Sequence, residues 1–424
     1  MLVMEMSNKK QQIPTIRFKG FTDTWEQRKL METNTSFTDG NYGESYPSGN
    51  DMSDSRNGVP FLRGSNLKNG KLDNSGANYI TLEKHKELTS GHLVYDDIVI
   101  AVRGSLGALG YVDIDNVDWN INSQLAIIRT DKSELNGAFV IQFLSSNKGQ
   151  KELLSRQTGT ALKQLPIKQL QDVPVPKPEL AEQNKISEFF RQLDDTIALH
   201  QRQLDNYKEL KKAMLQKMFP QEGEKVPEVR FDGFTEEWEQ RKVFDMSEIT
   251  FGGGTPKTGN EGYWQGNFPW IQSSDLKNDQ LCNVIPTKFI TDEAINKSAT
   301  KVVPANSIAV VTRVGVGKLA FMPYPYATSQ DFLSLSNLKV DPWFGVYSLY
   351  VLIQKEINNI QGTSIKGMTK SDLLSKNITI PFVLEEQTKI GNFFKKLDDT
   401  IALHQQKVND YQQLKKVILQ QMFV

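Results

Sequence analysis

The stretch from Glu182 to Phe219, EQNKISEFFRQLDDTIALHQRQLDNYKELKKAMLQKMF, returns without a gap from Glu386 to Phe423 as EQTKIGNFFKKLDDTIALHQQKVNDYQQLKKVILQQMF. In the first copy Ile186, Phe190, Leu193, Ile197, Leu204, Tyr207, Met214 and Met218 recur at spacings of three and four, or sums of them. That spacing predicts a helix with one apolar stripe. The second copy repeats the stripe as Ile390, Phe394, Leu397, Ile401, Val408, Tyr411, Ile418 and Met422, and Gly391 is its one glycine. At a rise of ~1.5 Å per residue each copy would extend roughly 57 Å. A helix this long with a single stripe needs a partner along its length. The other copy, lying antiparallel, is the nearest one. His200 and His404 take equivalent seam positions where leucine is expected. They read as polar register markers, with a titrating imidazole pair as the alternative.

The duplication reaches further. Ile13 to Leu30, IPTIRFKGFTDTWEQRKL, returns as Val226 to Val243, VPEVRFDGFTEEWEQRKV. The chain is therefore a tandem repeat with a unit of roughly 200 residues. In each copy the Phe-x-Gly-Phe element predicts an ordered non-helical clamp, anchored by a packed Trp25 or Trp238. Inside the units, Val59–Leu67 aligns with Phe268–Leu276, Asp96–Gly107 with Asn306–Gly317, Ser123-Gln124 with Ser329-Gln330, and Gly159-Thr160 with Gly362-Thr363. Each of the first two pairs reads as a strand running into a polar or glycine turn. The separation between aligned landmarks drifts from 213 residues at Ile13 and Val226 to 204 at Glu182 and Glu386. Loops have thus changed length inside the units while the helical segments kept theirs. Residues 1–12 read as a flexible lead, Pro174, Pro176 and Pro178 as a break before the first long helix, and Pro381 as the break before the second. Residues 220–226 form a short polar connector.

The expected fold class is α+β: an internal tandem duplication of two mixed α/β globular domains, separated by two long antiparallel helices that form a coiled coil. Along the chain the segments are 1–24 (lead and start of the first repeat), 25–175 (first head), 176–225 (central helix and connector), 226–381 (second head) and 382–424 (last helix).

Fifty basic and fifty acidic residues give a formal charge of zero, which argues against a simple polyelectrolyte binder of nucleic acid. Lys208, Lys211, Lys212 and Lys217, with Lys415 and Lys416, cluster late in the two helices and read as a solvated face, as do Asp194-Asp195 and Asp398-Asp399. One cysteine, Cys282, rules out an internal disulfide and fits a reducing compartment. No run approaches 18 apolar residues, so the expectation is a cytoplasmic protein without a membrane span.

Catalytic chemistry finds no constellation. The Gly315-Val316-Gly317-Lys318 and Gly252-Gly253-Gly254-Thr255-Pro256-Lys257 stretches depart from a phosphate loop. Neither Asn-Pro-Pro-[Tyr/Phe] nor Asp-Pro-Pro-[Tyr/Phe] occurs. The four scattered histidines, His85, His92, His200 and His404, predict neither a zinc nor a hydrolytic set. The expectation is no catalytic residue and no metal.

The heads do offer polar turns after strands, carrying residue types suited to base edges and phosphates. In the first head these are Arg63, Ser65, Asn66, Lys68, Arg103 and Ser105. In the second they are Thr255, Lys257, Gln272, Ser274, Asp275, Lys277, Arg313 and Lys318. The helix seam candidates are Ile186, Phe190, Leu193, Ile197, His200 and Leu204 with Ile390, Phe394, Leu397, Ile401, His404 and Val408. Tyr263, Trp264 and Trp270 read as packing beneath a loop, with base stacking as the alternative.

The paired Arg-Phe-x-Gly-Phe-Thr-x-x-Trp-Glu-Gln-Arg-Lys segments (Arg17 to Lys29, Arg230 to Lys242) and the paired Leu-Asp-Asp-Thr-Ile-Ala-Leu-His segments (Leu193 to His200, Leu397 to His404) resemble the specificity subunits of type I restriction-modification systems, the HsdS family. The Gly254-Thr255-Pro256 element resembles a loop motif of that family's target-recognition domains, whereas the first head has Thr38-Asp39-Gly40 there. The resemblance implies a sequence-specific subunit that binds double-stranded DNA at a bipartite asymmetric site and performs no catalysis itself. It further implies two modification subunits that methylate adenine with S-adenosylmethionine, and restriction subunits that use ATP and Mg2+. None of these cofactors would bind to this chain. A protein-interaction scaffold and a stand-alone methyltransferase are the competing readings.

Overall fold

The computed structural model describes residues 2–4, 13–359 and 368–423. Gly362-Thr363 and most of the lead lie outside the described residues. The chain divides into two compact units, residues 1–199 with 407–424, and residues 200–406.

In the first unit, a sheet runs in the order Ser36–Asp39, Leu125–Arg129, Ile98–Ala101, Leu109–Tyr111, Gly70–Leu72, Leu67–Lys68. A second sheet has the order Asn120–Ile121, Val59–Leu62, Asn78–Ile80, Met52–Ser53. The second unit repeats both frames with fewer strands. Its larger sheet is Ser247–Gly252, Phe332–Leu338, Ser307–Val311, Leu319–Met322, and its smaller one is Lys288–Ile290, Phe268–Ile271, Ala327–Thr328. The central strands carry continuous apolar runs, IVIA at 98–101 and IAVV at 308–311 after Ser307, and every residue of both strands is buried. Such runs need cover on both faces. Helices Gly137–Ser145 and Pro342–Asn359 pack against these larger sheets. The strands expected after the paired Ser-Gln dipeptides and inside Val59–Leu67 and Phe268–Leu276 all form.

The repeated segments are helical over Leu180–Lys217 and Leu384–Met422. Each helix starts two residues before the aligned repeat. Glu182 and Glu386 then sit in the first turn, where their carboxylates serve the clamps. In the first unit Arg17 donates from Nε and Nη2 to both oxygens of Glu182 at 2.7 and 2.8 Å, and Trp25 Nε1 adds a third bond at 3.0 Å. In the second unit Arg230 and Trp238 bind Glu386 in the same way, at 2.7, 2.8 and 3.2 Å. Three donors compensate each carboxylate for leaving water. The paired Arg-Phe-x-Gly-Phe and Trp-Glu-Gln-Arg-Lys motifs are therefore helix anchors, and both tryptophans are buried as expected.

Each head is closed by the far end of the other repeat's helix. In the first unit Ile418, Leu419, Met422 and Phe423 join the core of Trp25, Phe139, Phe143, Ile186 and Phe190. Phe423 meets the rings of Trp25, Phe139 and Phe143 at centroid distances of 6.0, 5.6 and 5.7 Å. In the second unit Leu215, Met218 and Phe219 join Trp238, Phe344, Ile390 and Phe394. Polar contacts follow the same exchange. Lys415 reaches Asp194 at 2.7 Å in the first unit, and Lys211 reaches Asp398 at 2.5 Å in the second. The pairing partners run in opposite directions, with His200 Nδ1 3.2 Å from His404 Nδ1 in the second unit, so the helices are antiparallel. Of the seam residues, Ile186, Phe190, Leu193, Leu204, Ile390, Phe394, Leu397 and Val408 are buried, while Ile197, His200, Ile401 and His404 are half-buried.

Three expectations change. The solvated face assigned to the late lysines and the paired aspartates does not hold for Lys211 and Asp398, because Lys211 is buried, the Asp398 side chain is only 10% exposed against it, and Tyr347 Oη also donates to Asp398 at 2.6 Å. The proline stretch does lie between the first head and its helix, which starts at Leu180, but it is regular: Pro174–Lys177 is a strand paired with Glu26–Lys29. A two-stranded ribbon has free edges on which a missing N–H costs nothing. In the lead, Leu2–Met4 pairs with Ile16–Phe18.

Candidate nucleic-acid interface

In the first head, strand Val59–Leu62 delivers a turn at residues 63–66. The Arg63 N–H donates to Asn66 Oδ1 at 3.0 Å, and Asn66 Nδ2 donates to the Asp73 carbonyl at 2.9 Å. Asn66 is buried and holds the turn, while Arg63 and Ser65 stand exposed on it. Lys68 is exposed and paired at 2.5 Å with Asp73, whose carboxyl is drawn down to about 2 by the Lys68 amine and then by the Ser75 hydroxyl and N–H. Strand Ile98–Ala101 delivers a second turn, where Gly104 and Gly107 adopt φ of +73° and +78°. The two turns touch: a Cβ on Gly64 would stand 3.6 Å from the Ser105 Cβ. Arg103 Nη1 donates to the Ser123 carbonyl at 3.2 Å, and its guanidinium lies 5.4 Å from the centre of the Tyr42 ring. Tyr42 Oη donates to the same carbonyl at 3.0 Å. Arg63, Ser65, Arg103 and Ser105 thus share one edge, together with Tyr42.

The second head builds the same edge from different side chains. The Gln272 N–H donates to Asp275 Oδ2 at 2.9 Å, and Thr287 Oγ1 donates to Asp275 Oδ1 at 2.6 Å. Asp275 therefore does the work of Asn66, and Ser274 and Lys277 are exposed beside it. Lys318 Nζ donates to the Ser273 carbonyl at 3.1 Å, tying the 313–318 turn to this one. Thr255 Oγ1 donates to Gln330 Oε1 at 3.3 Å, and Lys257 is exposed beyond it. The strand ends that carry this motif correspond between heads. A Cβ on Gly40 would collide with the Asn122 carbonyl and one on Gly253 with that of Ser329, so glycine is needed at both. Tyr42 occupies in the first head the place of Thr255 in the second. Trp270 is buried with its Nε1 donating to the Gly254 carbonyl at 3.1 Å, which supports the packing reading.

The residues that sequence reasoning missed lie beside Arg313. An open cleft of about 720 Å³ is lined by Thr312–Val316 and Met368–Lys370. Lys370 comes from 57 residues downstream of Arg313, a proximity no local pattern announces. Burial, then the neighbouring Arg313 and Lys301, push the Lys370 amine below the usual lysine value. Two cations, Arg313 and Lys370, line one cleft with Lys301 near enough to be felt by Lys370, and such a cleft suits an anion, phosphate being the abundant anion of nucleic acid. In the first head Tyr42 is likewise absent from the sequence candidates; only its spacing from Gly40 would have marked it.

Known proteins place this arrangement. The family model of the type I restriction modification DNA specificity domain matches residues 23–208 and again 235–412. The putative type I restriction enzyme MjaX specificity subunit of Methanocaldococcus jannaschii is 24% identical over 375 residues, 85% of either chain. The MjaIX specificity subunit of the same organism is 30% identical over 193 residues, covering 43% of this chain and 42% of that one. Among solved structures, the S subunit of a type I restriction-modification system from M. genitalium shares the fold at a TM-score of 0.65 and 12% identity, over 97% of this chain and 99% of that chain. A chain solved in work on complex assembly and conformational transition of the type I R-M system gives a TM-score of 0.53 at 17% identity, over 94% and 97%. Among the described residues no helix is long and apolar enough to cross a membrane. With two matched domains spanning most of its length, the chain belongs to the type I restriction-modification DNA specificity family, as a sequence-recognising and non-catalytic specificity subunit.

Proposed function

We propose that each head reads one half of a bipartite, asymmetric site in double-stranded DNA, and that the chain hands this address to partner subunits. The reading rests on one observation above all: both heads present an edge made by the same strands and glycine-gated turns, but with different polar side chains on it. Arg63, Ser65, Arg103, Ser105 and Tyr42 read one half-site, and Thr255, Lys257, Gln272, Ser274, Lys277, Arg313 and Lys318 the other. Lys370 and Lys301 join Arg313 on a phosphate. Two modification subunits dock on the subunit and methylate adenine with S-adenosylmethionine, and restriction subunits bring ATP and Mg2+ chemistry, all in the cytoplasm. With no net charge of its own, the chain relies on the modification subunits for much of the phosphate contact, so its salt dependence of DNA binding steepens when they are present.

The length of the paired helices sets the number of unread bases between the half-sites. Mapping methylated adenines across a genome carrying this subunit and its partners is the decisive experiment. Exchanging residues 31–165 with those of a relative should change one half-site only. Adding one helical turn near His200 should lengthen the unread spacer. A change in both half-sites, or an unaltered spacer, overturns the respective assignment.

A further inference from the structure

Four histidines spread over the chain gave no metal set in sequence, yet the fold brings two of them onto one carboxylate. His85 lies in the short helix Leu82–Glu87, His92 bridges to Asn120 beside strand Asn120–Ile121, and Asp118 precedes that strand. One ligand atom from each of His85, His92 and Asp118 lies within 4.8 Å of the others. The nearest pairs are His85 Nε2 to Asp118 Oδ2 at 3.3 Å and His92 Nδ1 to Asp118 Oδ1 at 3.8 Å. Ligands held at 2.0–2.1 Å around a tetrahedral ion stand about 3.3 Å apart, so a small turn of the His92 ring completes the spacing.

The hydrogen bonds around the cluster fix which nitrogens are free to ligate. His92 Nε2 donates to the Leu88 carbonyl at 2.8 Å, which leaves its Nδ1 lone pair facing Asp118. His85 Nδ1 donates to Asn120 Oδ1, which leaves its Nε2 lone pair facing the same carboxylate. Asn120 is fully buried and keeps Nδ2 unpaired while its carbonyl holds the imidazole N–H. Two lone pairs and a carboxylate aimed at one point repel one another until a metal ion, or a proton on one of the imidazoles, lies between them. Imidazoles oriented by outer acceptors are the usual setting of a transition-metal site. Asp118 adopts φ of +69° and stays exposed, so water has access to a fourth position.

The framework does not require these side chains. In the second head Ile295 holds the fourth position of helix Asp292–Lys297, as His85 does in Leu82–Glu87, and Val303 bridges to Tyr326 where His92 bridges to Asn120. Apolar packing suffices there.

We infer that His85, His92 and Asp118 form a structural site for a divalent transition metal of the zinc class, confined to the first head. The ion fastens the Thr81–His92 segment to the Asp118–Asn120 edge. It also steadies the reading edge, because Asn41, next to Tyr42, donates to the Ser90 carbonyl at 2.8 Å. Imidazole nitrogens with one carboxylate select zinc, cobalt or nickel over magnesium or calcium.

The test is titration of chelator-treated full-length subunit with Co2+, read by the visible bands of low-symmetry cobalt, followed by displacement with Zn2+. A His200→Gln/His404→Gln background removes the other histidine pair. One equivalent is expected, with affinity falling at least tenfold in Asp118→Ala and in His92→Ala, both at accessible positions. Zn2+ should also slow backbone hydrogen exchange over residues 81–93 in the parent and not in Asp118→Ala. Absence of binding, binding indifferent to both substitutions, or a signal that disappears with His200 and His404 overturns the assignment.

Discussion

Two carboxylates, Glu182 and Glu386, each hold an arginine and an indole beneath a head. Removing one partner of a buried ion pair leaves the other charge stranded, at a cost of about 3–5 kcal/mol. Glu182→Ala should lower the unfolding free energy of the first head by that much and Glu386→Ala that of the second, read from denaturant curves by tryptophan fluorescence. Cys282 offers a second check. Burial foremost, then Asp398 and Asp399, raise its thiol to about 11 from an ordinary value of 9.0. A raised folded value means the neutral thiol is favoured in the native state. Its contribution to stability is complete below pH 9 and is lost as the pH climbs toward 11. Alkylation at pH 8 should be slow in the native protein and fast after denaturation, and replacing Cys282 by Ser should flatten the loss of stability between pH 9 and 11. On the reading edge, Arg313→Ala and Lys370→Ala should each weaken binding of the assembled complex to DNA, by about 1–3 kcal/mol if a base is lost and with a shallower salt slope if a phosphate is. Unchanged affinity in both would remove the cleft from the interface.

At the scale of elements, helix ends matter more than helix middles. Phe219 packs on Trp238, Phe344 and Phe394, and Phe423 on Trp25, Phe139 and Phe143. Truncating an aromatic ring in such a core costs about 3–5 kcal/mol. Phe423→Ala should therefore raise hydrogen exchange in residues 137–145, although its own repeat lies at the other end of the chain, and spare residues 342–359. The helices, the duplication and most strands were legible because they carry period: three and four along the stripe of Ile186 to Met218, and unbroken apolar runs at 98–101 and 308–311. What was not legible depends on tertiary partners. Pro174–Lys177 reads as irregular until Glu26–Lys29 lies beside it. Lys211 and Asp398 read as solvated until each finds the other. Asn66 and Asp275 look like base readers because their chemistry serves a turn equally well. His85, His92 and Asp118 converge through an isolated bridge from His92 to Asn120, which spacing along the chain does not encode.

For the whole molecule, the exchange of helix ends means that neither repeat contains its own closing residues. A chain ending at residue 219 keeps the first head but lacks Ile418 to Phe423, and it carries Leu215 to Phe219 with no second head to close. Two such chains would satisfy each other, since Met218 and Phe219 match Met422 and Phe423 in the repeat. Sedimentation should find this half as a symmetric dimer, and a folded monomer would contradict the exchange. The same exchange governs the order of events during synthesis. The first head emerges early from the ribosome yet waits for more than two hundred further residues before Phe423 arrives to cover Trp25, Phe139 and Phe143. Until then its aromatic floor is open to chaperones and proteases. Premature termination in the second half would thus leave the first head uncovered until a second truncated copy supplied Met218 and Phe219 in place of Met422 and Phe423.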